Sequence, residues 1–183
     1  MRQRIIEAAI HETAARGMKF TMNDLAKRLC VSKRTIYENF SSKESIIEAM
    51  IENFLNTMSE KEEKILNNSN LSEIDQLKEI GMILADDFQL MYISKLFDMK
   101  TTHPNQWKKM EYWLNGWRPE SQLIQQGMEK NKLRKVNVIV LRKIIIESML
   151  ALFDSQFLMR NDITFKEAME SMMDILLYGV ANK

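Results

Sequence analysis

Residues 21–43 read TMNDLAKRLCVSKRTIYENFSSK, and their spacing decides the fold. Thr21 is placed to cap a helix, because its hydroxyl can accept from a free N–H one turn on. Leu25, Ala26 and Leu29 then recur at helical spacing. Cys30 and Val31 make a turn, with Val31 apolar enough to fill the gap between helices. Ser32 caps a second helix, Lys33 to Phe40, in which Ile36 and Phe40 stand four apart on one inward face. Lys33, Arg34, Thr35, Tyr37 and Asn39 are left on the other faces. Cations, hydroxyls and an amide are the groups that bind phosphates and base edges. A tight turn between two helices, the second polar and basic outside, is the pattern of a helix-turn-helix.

The flanking residues extend the pattern. Ile6, Ala8 and Ala9 precede it on a first helix over residues 2–16, whose stripe also takes in Ile5 and Glu12. Gly17 stands at that helix's end, and Phe20 leads into Thr21. After the turn come Thr35-Ile36-Tyr37, Phe40, Lys43 and Glu44. Over these first fifty residues the chain resembles the TetR-type (tetracycline-repressor-like) transcription regulators of bacteria. Cys30 departs from the family pattern, which commonly has a glycine in this turn. Glu38 also departs, placing an acid on the reading helix, where it either accepts from a cytosine amine or repels phosphates.

The resemblance implies an all-α chain of about nine helices. A three-helix DNA-binding domain over residues 1–46 would precede a helical effector-binding and dimerisation domain over 47–183. Lys33, Arg34, Thr35 and Asn39 would lie near base edges, while Thr21, Tyr37 and Lys43 would hold phosphates. Arg2 and Arg4 are further candidates for backbone phosphates. A homodimer would set two reading helices in successive major grooves of a palindromic double-stranded operator, roughly 34–36 Å apart or somewhat more. A small effector would favour a subunit spacing that no longer fits the DNA. That is the behaviour of a repressor in the cytoplasm.

Composition agrees with such a chain. The 183 residues are 45% apolar and 28% charged, with only five glycines and two prolines, which favours helix. One cysteine permits no internal disulfide and fits a reducing compartment. No apolar run approaches the length of a membrane span, and no signal peptide is expected. Net charge is only +1, but residues 1–50 hold nine Lys/Arg against six Asp/Glu, so the excess sits on the motif.

Ser42 caps a fourth helix that runs past Met58 into the charged stretch Glu60 to Lys64, and residues 67–70 form a loop. Ser72 opens the next helix, and another is expected over Phe88–Lys100, broken by Thr101-Thr102-His103-Pro104. Pro119 begins a helix that ends near Lys130. Asn137 caps a long helix to about Met159, and Thr164–Glu167 is a capping box for a last helix ending near Ala181. These last two helices carry apolar residues beyond one stripe, among them Met172 and Leu176. Such a surplus predicts a four-helix dimer interface.

Enzyme chemistry finds no foothold. His11 and His103 stand far apart without a Cys/His cluster, and neither a phosphate-cradling glycine loop nor a nucleophile elbow occurs. No metal or cofactor is expected. Eleven of fifteen methionines fall after residue 50, and Met with aromatic residues suits a deformable cavity for an apolar or amphipathic molecule. Candidates to line it are Met82, Phe88, Met91, Tyr92, Trp107, Met110, Trp113, Trp117, Met149 and Phe153. The competing reading is a helical small-molecule-binding protein or enzyme without DNA binding, which the second half alone would allow.

Overall fold

The computed structural model describes residues 1–83, 85, 95, 98–115, 119–153 and 155–180, and the regular elements among them are helices. The expected helix over Phe88–Lys100 lies largely outside the described residues.

The motif folds as its local chemistry requires. Helix α1 spans Arg2–Arg16 and ends at Gly17, whose φ of 67° suits a residue without Cβ. After a short 3₁₀ turn, Gly17–Lys19, helix α2 covers Met22–Leu29. Thr21 accepts from the Asp24 N–H, and the Asp24 carboxylate accepts from the Thr21 N–H, closing a capping box. Those hydrogen bonds from Thr21, side chain first, hold the Asp24 carboxyl below its ordinary value. Helix α3 is Lys33–Asn39, capped by Ser32 through the Thr35 N–H at 3.1 Å. It stops one residue short of the expected end. Phe40 turns to extended backbone, which drives its ring into the core at 2% exposure.

Cys30 closes α2 with φ 55° and ψ 43°. A side chain with a Cβ therefore occupies the left-handed region that glycine fills at low cost. Cys30→Gly should raise unfolding free energy by about 0.5–1 kcal/mol, relief of left-handed strain outweighing the glycine's extra chain entropy. Denaturant titration of both proteins measures this, and a lower midpoint for the variant would contradict it.

Helix α4 is the 24-residue Lys43–Leu66. Ser42 and Ser45 exchange backbone-to-hydroxyl hydrogen bonds at its start, each 3.2 Å. Later come α5 Glu73–Met82, α6 Met99–Thr102, α7 Pro104–Asn115, α8 Pro119–Glu129, α9 Val138–Leu152, α10 Ser155–Arg160 and α11 Phe165–Val180. Thr164 with Glu167 forms the expected capping box, Ser72 caps α5 as expected and closes a second box with Asp75, and Asn137 caps α9. The long helix expected from Asn137 to Met159 is interrupted. At Phe153 ψ falls to −1°, and its ring stacks on Phe165 at 4.7 Å. The apolar periodicity runs through this point, so a tertiary contact rather than a local breaker accompanies the break.

Packing divides the chain into two compact units. One comprises Met1–Thr57 with Phe88–Asn115, the other Met58–Asp87 with Gly116–Lys183. The core of the first includes Ile5, Phe20, Leu25, Ile36, Ile46, Ile47 and Met50, each fully buried. In the second, Leu77, Leu123, Ile124, Leu133, Leu141, Met173 and Leu177 form one cluster. Gly81 lets α5 and α11 approach closely there: a Cβ at that position would lie 2.5 Å from the Met173 thioether.

A charged clasp ties α5 to the turn after α8. The Glu73 carboxylate accepts from Lys130 at 2.8 Å and from Lys132. These two ammoniums, with a backbone N–H, hold its carboxyl at about 2 against an ordinary 4.5. The group is stabilising while ionised, so its contribution is present above pH 4.5 and fades as pH falls through about 2. Glu73→Gln should be less stable than the parent near neutrality, the gap closing across that acid window. Unfolding midpoints followed against pH, at two salt concentrations, test this.

Candidate DNA-binding surface

Helix α3 presents its polar residues because Ile36 fixes its rotation. With Ile36 fully buried, Lys33, Arg34, Tyr37 and Glu38 face solvent, Tyr37 at 53% exposure. Thr35 and Asn39 are half-buried. The Thr35 hydroxyl lies 3.0 Å from that of Ser32, and the Asn39 amide donates back to the Thr35 carbonyl at 2.8 Å. Both therefore brace the helix in this conformation. Arg34 donates to the Glu38 carboxylate at 3.0 Å. Of the four residues expected at base edges, Lys33 and Arg34 are the most accessible.

The three residues expected on phosphates are placed differently. Tyr37 is open. Thr21 is exposed, but its hydroxyl is engaged with Asp24 at 2.7 Å. Lys43 is turned inward: its ammonium donates to the Met18 carbonyl and lies 4.8 Å above the Phe20 ring. Burial lowers its pKa, partly offset by Glu44. His103 belongs to the same unit, and burial first, then the Lys43 charge, lowers its pKa too.

Two contacts in this motif were not visible in the sequence pattern. Arg2 donates to the Asn39 carbonyl at 3.1 Å and stacks its guanidinium 4.0 Å from the Phe40 ring centre, so it clamps the end of the reading helix. Glu12 was assigned to the apolar stripe of α1. It is 3% exposed, yet it is a buried acid paired to Arg28 at 2.6 Å and Arg16 at 3.1 Å. A charged residue at a stripe position was the available signal. Its partner on α2 was not.

The ligand candidates fall in both compact units. Trp107 and Met110 are buried in the first, where Trp113 meets Phe54 edge-on at 6.0 Å. Met149 is buried in the second, Met82 packs on its core, and Phe153 stacks on Phe165. Phe88, Met91, Tyr92 and Trp117 lie outside the described residues. No group of three or more potential metal ligands occurs among the described residues, and no helix there is long and apolar enough to cross a membrane.

Comparison with known proteins bears on the surface and the fold together. Residues 5–50 match the family model of bacterial regulatory proteins, tetR family. An uncharacterized HTH-type transcriptional regulator of Bacillus subtilis, YvaF, is 28% identical over 181 residues, spanning 98% of this chain and 95% of its own. Among solved structures, the regulator FadR of Bacillus subtilis in complex with stearoyl-CoA superposes with a TM-score of 0.76 at 17% identity, covering 98% of this chain and 100% of its own. The ketosteroid transcriptional regulator KstR2 of Mycobacterium tuberculosis gives 0.67 at 16% identity, covering 100% and 95%. These two likenesses concern the fold. With the helix-turn-helix and its outward cations in place, residues 5–50 form a DNA-binding region of the tetR type, and the chain is a DNA-binding transcriptional regulator.

Proposed function

We propose that this regulator is a cytoplasmic homodimeric repressor, without catalytic activity of its own, that a small apolar or amphipathic effector releases from a palindromic operator. The observation that carries the DNA side is α3 itself: its apolar side is sealed by Ile36, and its cations and Tyr37 face water. Residues 1–46 meet DNA in this reading, with Lys33 and Arg34 at base edges and Tyr37 and Thr21 on phosphates. Thr21, Thr35, Asn39 and Lys43 reach DNA only after giving up the hydrogen bonds described above. Residues 47–183 bind effector and pair subunits.

Apolar side chains left in solvent support pairing. Ile139, Val140 and Ile144 on α9, Phe157 and Met159 on α10, and Ile175 and Tyr178 on α11 are all exposed. FadR carries stearoyl-CoA and KstR2 is a ketosteroid transcriptional regulator, so an apolar effector has precedent on this fold. An effector shifts DNA affinity only through different affinity for the two states.

The test is fluorescence polarisation with the DNA upstream of the protein's own coding sequence, with and without competitor duplex. Long-chain acyl thioesters and sterols are then titrated while the emission of Trp107, Trp113 and Trp117 is followed. Saturable, competitor-resistant binding, and one ligand that changes emission and releases DNA over the same concentration range, are expected. Tyr37→Phe should weaken selected and unrelated duplexes alike, by about threefold to tenfold if it donates one hydrogen bond to phosphate. Absence of any duplex binding would return the chain to the reading without DNA.

A further inference from the structure

We infer that Glu38 is a specificity-determining residue, which holds Arg34 away from non-cognate DNA and yields it where a guanine offers two acceptors. The inference rests on α3 being the helix that meets base edges. Its observation is the ion pair on that helix: Arg34 Nε lies 3.0 Å from Glu38 Oε1, and the side chains are 88% and 56% exposed.

The pair is poorly explained by stability. Exposed ion pairs one helical turn apart contribute little. The order here, cation before acid, is also the weaker one, since it opposes the helix dipole. Yet it occupies the outer face of a seven-residue helix whose other exposed members are Lys33 and Tyr37. Glu38 is the one acid on α3. Its carboxylate takes one edge of the guanidinium fork, so Arg34 must leave it to make a two-point contact.

Charge then sorts the partners. A phosphate can also take the fork at two points, but its charge is repelled by the adjacent Glu38 carboxylate. The O6 and N7 acceptors of guanine bind the fork at two points and, being uncharged, meet no such repulsion. Glu38 thus lowers the affinity for unrelated duplex more than for the operator, and selectivity rises by weakening the wrong partner.

The experiment compares the parent, Glu38→Gln, Arg34→Ala and the double variant. Each is measured on a duplex selected by the parent from a random pool, and on poly(dA·dT), at several salt concentrations. Both residues are exposed, and thermal melts verify that all four proteins fold. Glu38→Gln should tighten poly(dA·dT) binding by about threefold to tenfold and steepen its salt slope by up to about 0.9 per subunit, while the selected duplex changes less than about twofold. In the Arg34→Ala background the loss of selectivity should vanish, because the two residues act as one unit. Equal tightening of both duplexes, unchanged in that background, would make Glu38 a plain repulsive charge and overturn the inference. Weakened binding to the selected duplex alone would instead mean that Glu38 accepts from a cytosine amine, and overturns it too. If Arg34→Ala binds the selected duplex like the parent, the assignment of α3 to base edges fails. If Arg34→Ala weakens that duplex while Glu38→Gln changes nothing, only the present inference fails.

Discussion

Aspartates at both Ile175 and Tyr178 should give folded monomers that have lost operator binding. The two side chains are 73% and 78% exposed, three apart along α11, so they form one stripe that the subunit does not cover. Met172 and Leu176, which the sequence pattern singled out for such a test, are half-buried, and Met172 packs against its own core. A charge at Met172 would therefore damage the subunit as well as any interface. At a two-fold interface each substitution acts twice. Loss of four partly covered apolar side chains amounts to roughly 5 kcal/mol, before the cost of burying charge. That is more than about a thousandfold in the dimer dissociation constant. A monomer holds only one reading helix and cannot span two half-sites. Sedimentation equilibrium with melting curves decides the matter. A folded double variant that sediments as the parent dimer would place the interface elsewhere.

Replacing Arg28 by methionine should cost more stability than replacing Glu12 by glutamine. The asymmetry follows from where each charge is left. The Glu12 side chain is 4% exposed, whereas those of Arg16 and Arg28 are 60% and 41% exposed. Without Glu12 the two guanidiniums can turn to water. Without Arg28, a buried carboxylate keeps only Arg16, which also lies 3.7 Å from Asp24. Removing one partner of a buried pair typically costs about 3–5 kcal/mol, so Arg28→Met is expected near the lower end and Glu12→Gln at about half that. Because the pair joins α1 to α2, operator affinity should fall with stability in both variants. Equal costs from denaturant titration would mean that the carboxylate is not held as a buried charge.

Helix caps and helical period, which depend on neighbours along the chain, were legible in the sequence. The caps at Thr21, Ser32, Ser72, Asn137 and Thr164 join groups two or three residues apart, and all form as expected. The inward turn of Ile36 follows from helical period alone. The turn expected at Cys30 is likewise a local demand of backbone geometry, met in the left-handed region. Together these determined the helix-turn-helix and the helical class of the remainder.

Tertiary structure decided which polar groups remain available for DNA. Lys43 donates to a carbonyl 25 residues away, Arg2 to one 37 away, Arg28 to a carboxylate 16 away, and Lys130 to one 57 away. No periodicity encodes such pairs, because each depends on how separate helices meet. The interruption of α9 at Phe153 belongs with them, since a ring contact with Phe165 accompanies it where the apolar period continues. Sequence could name Lys33, Arg34, Thr35, Asn39, Thr21, Tyr37 and Lys43 by type and position. Burial and hydrogen bonding in the folded chain then separated Lys33, Arg34 and Tyr37, which face water, from Thr21, Lys43, Thr35 and Asn39, whose polar atoms the fold already engages. A side chain's type and helical phase are set by the chain, but its free valences are set by what packs beside it.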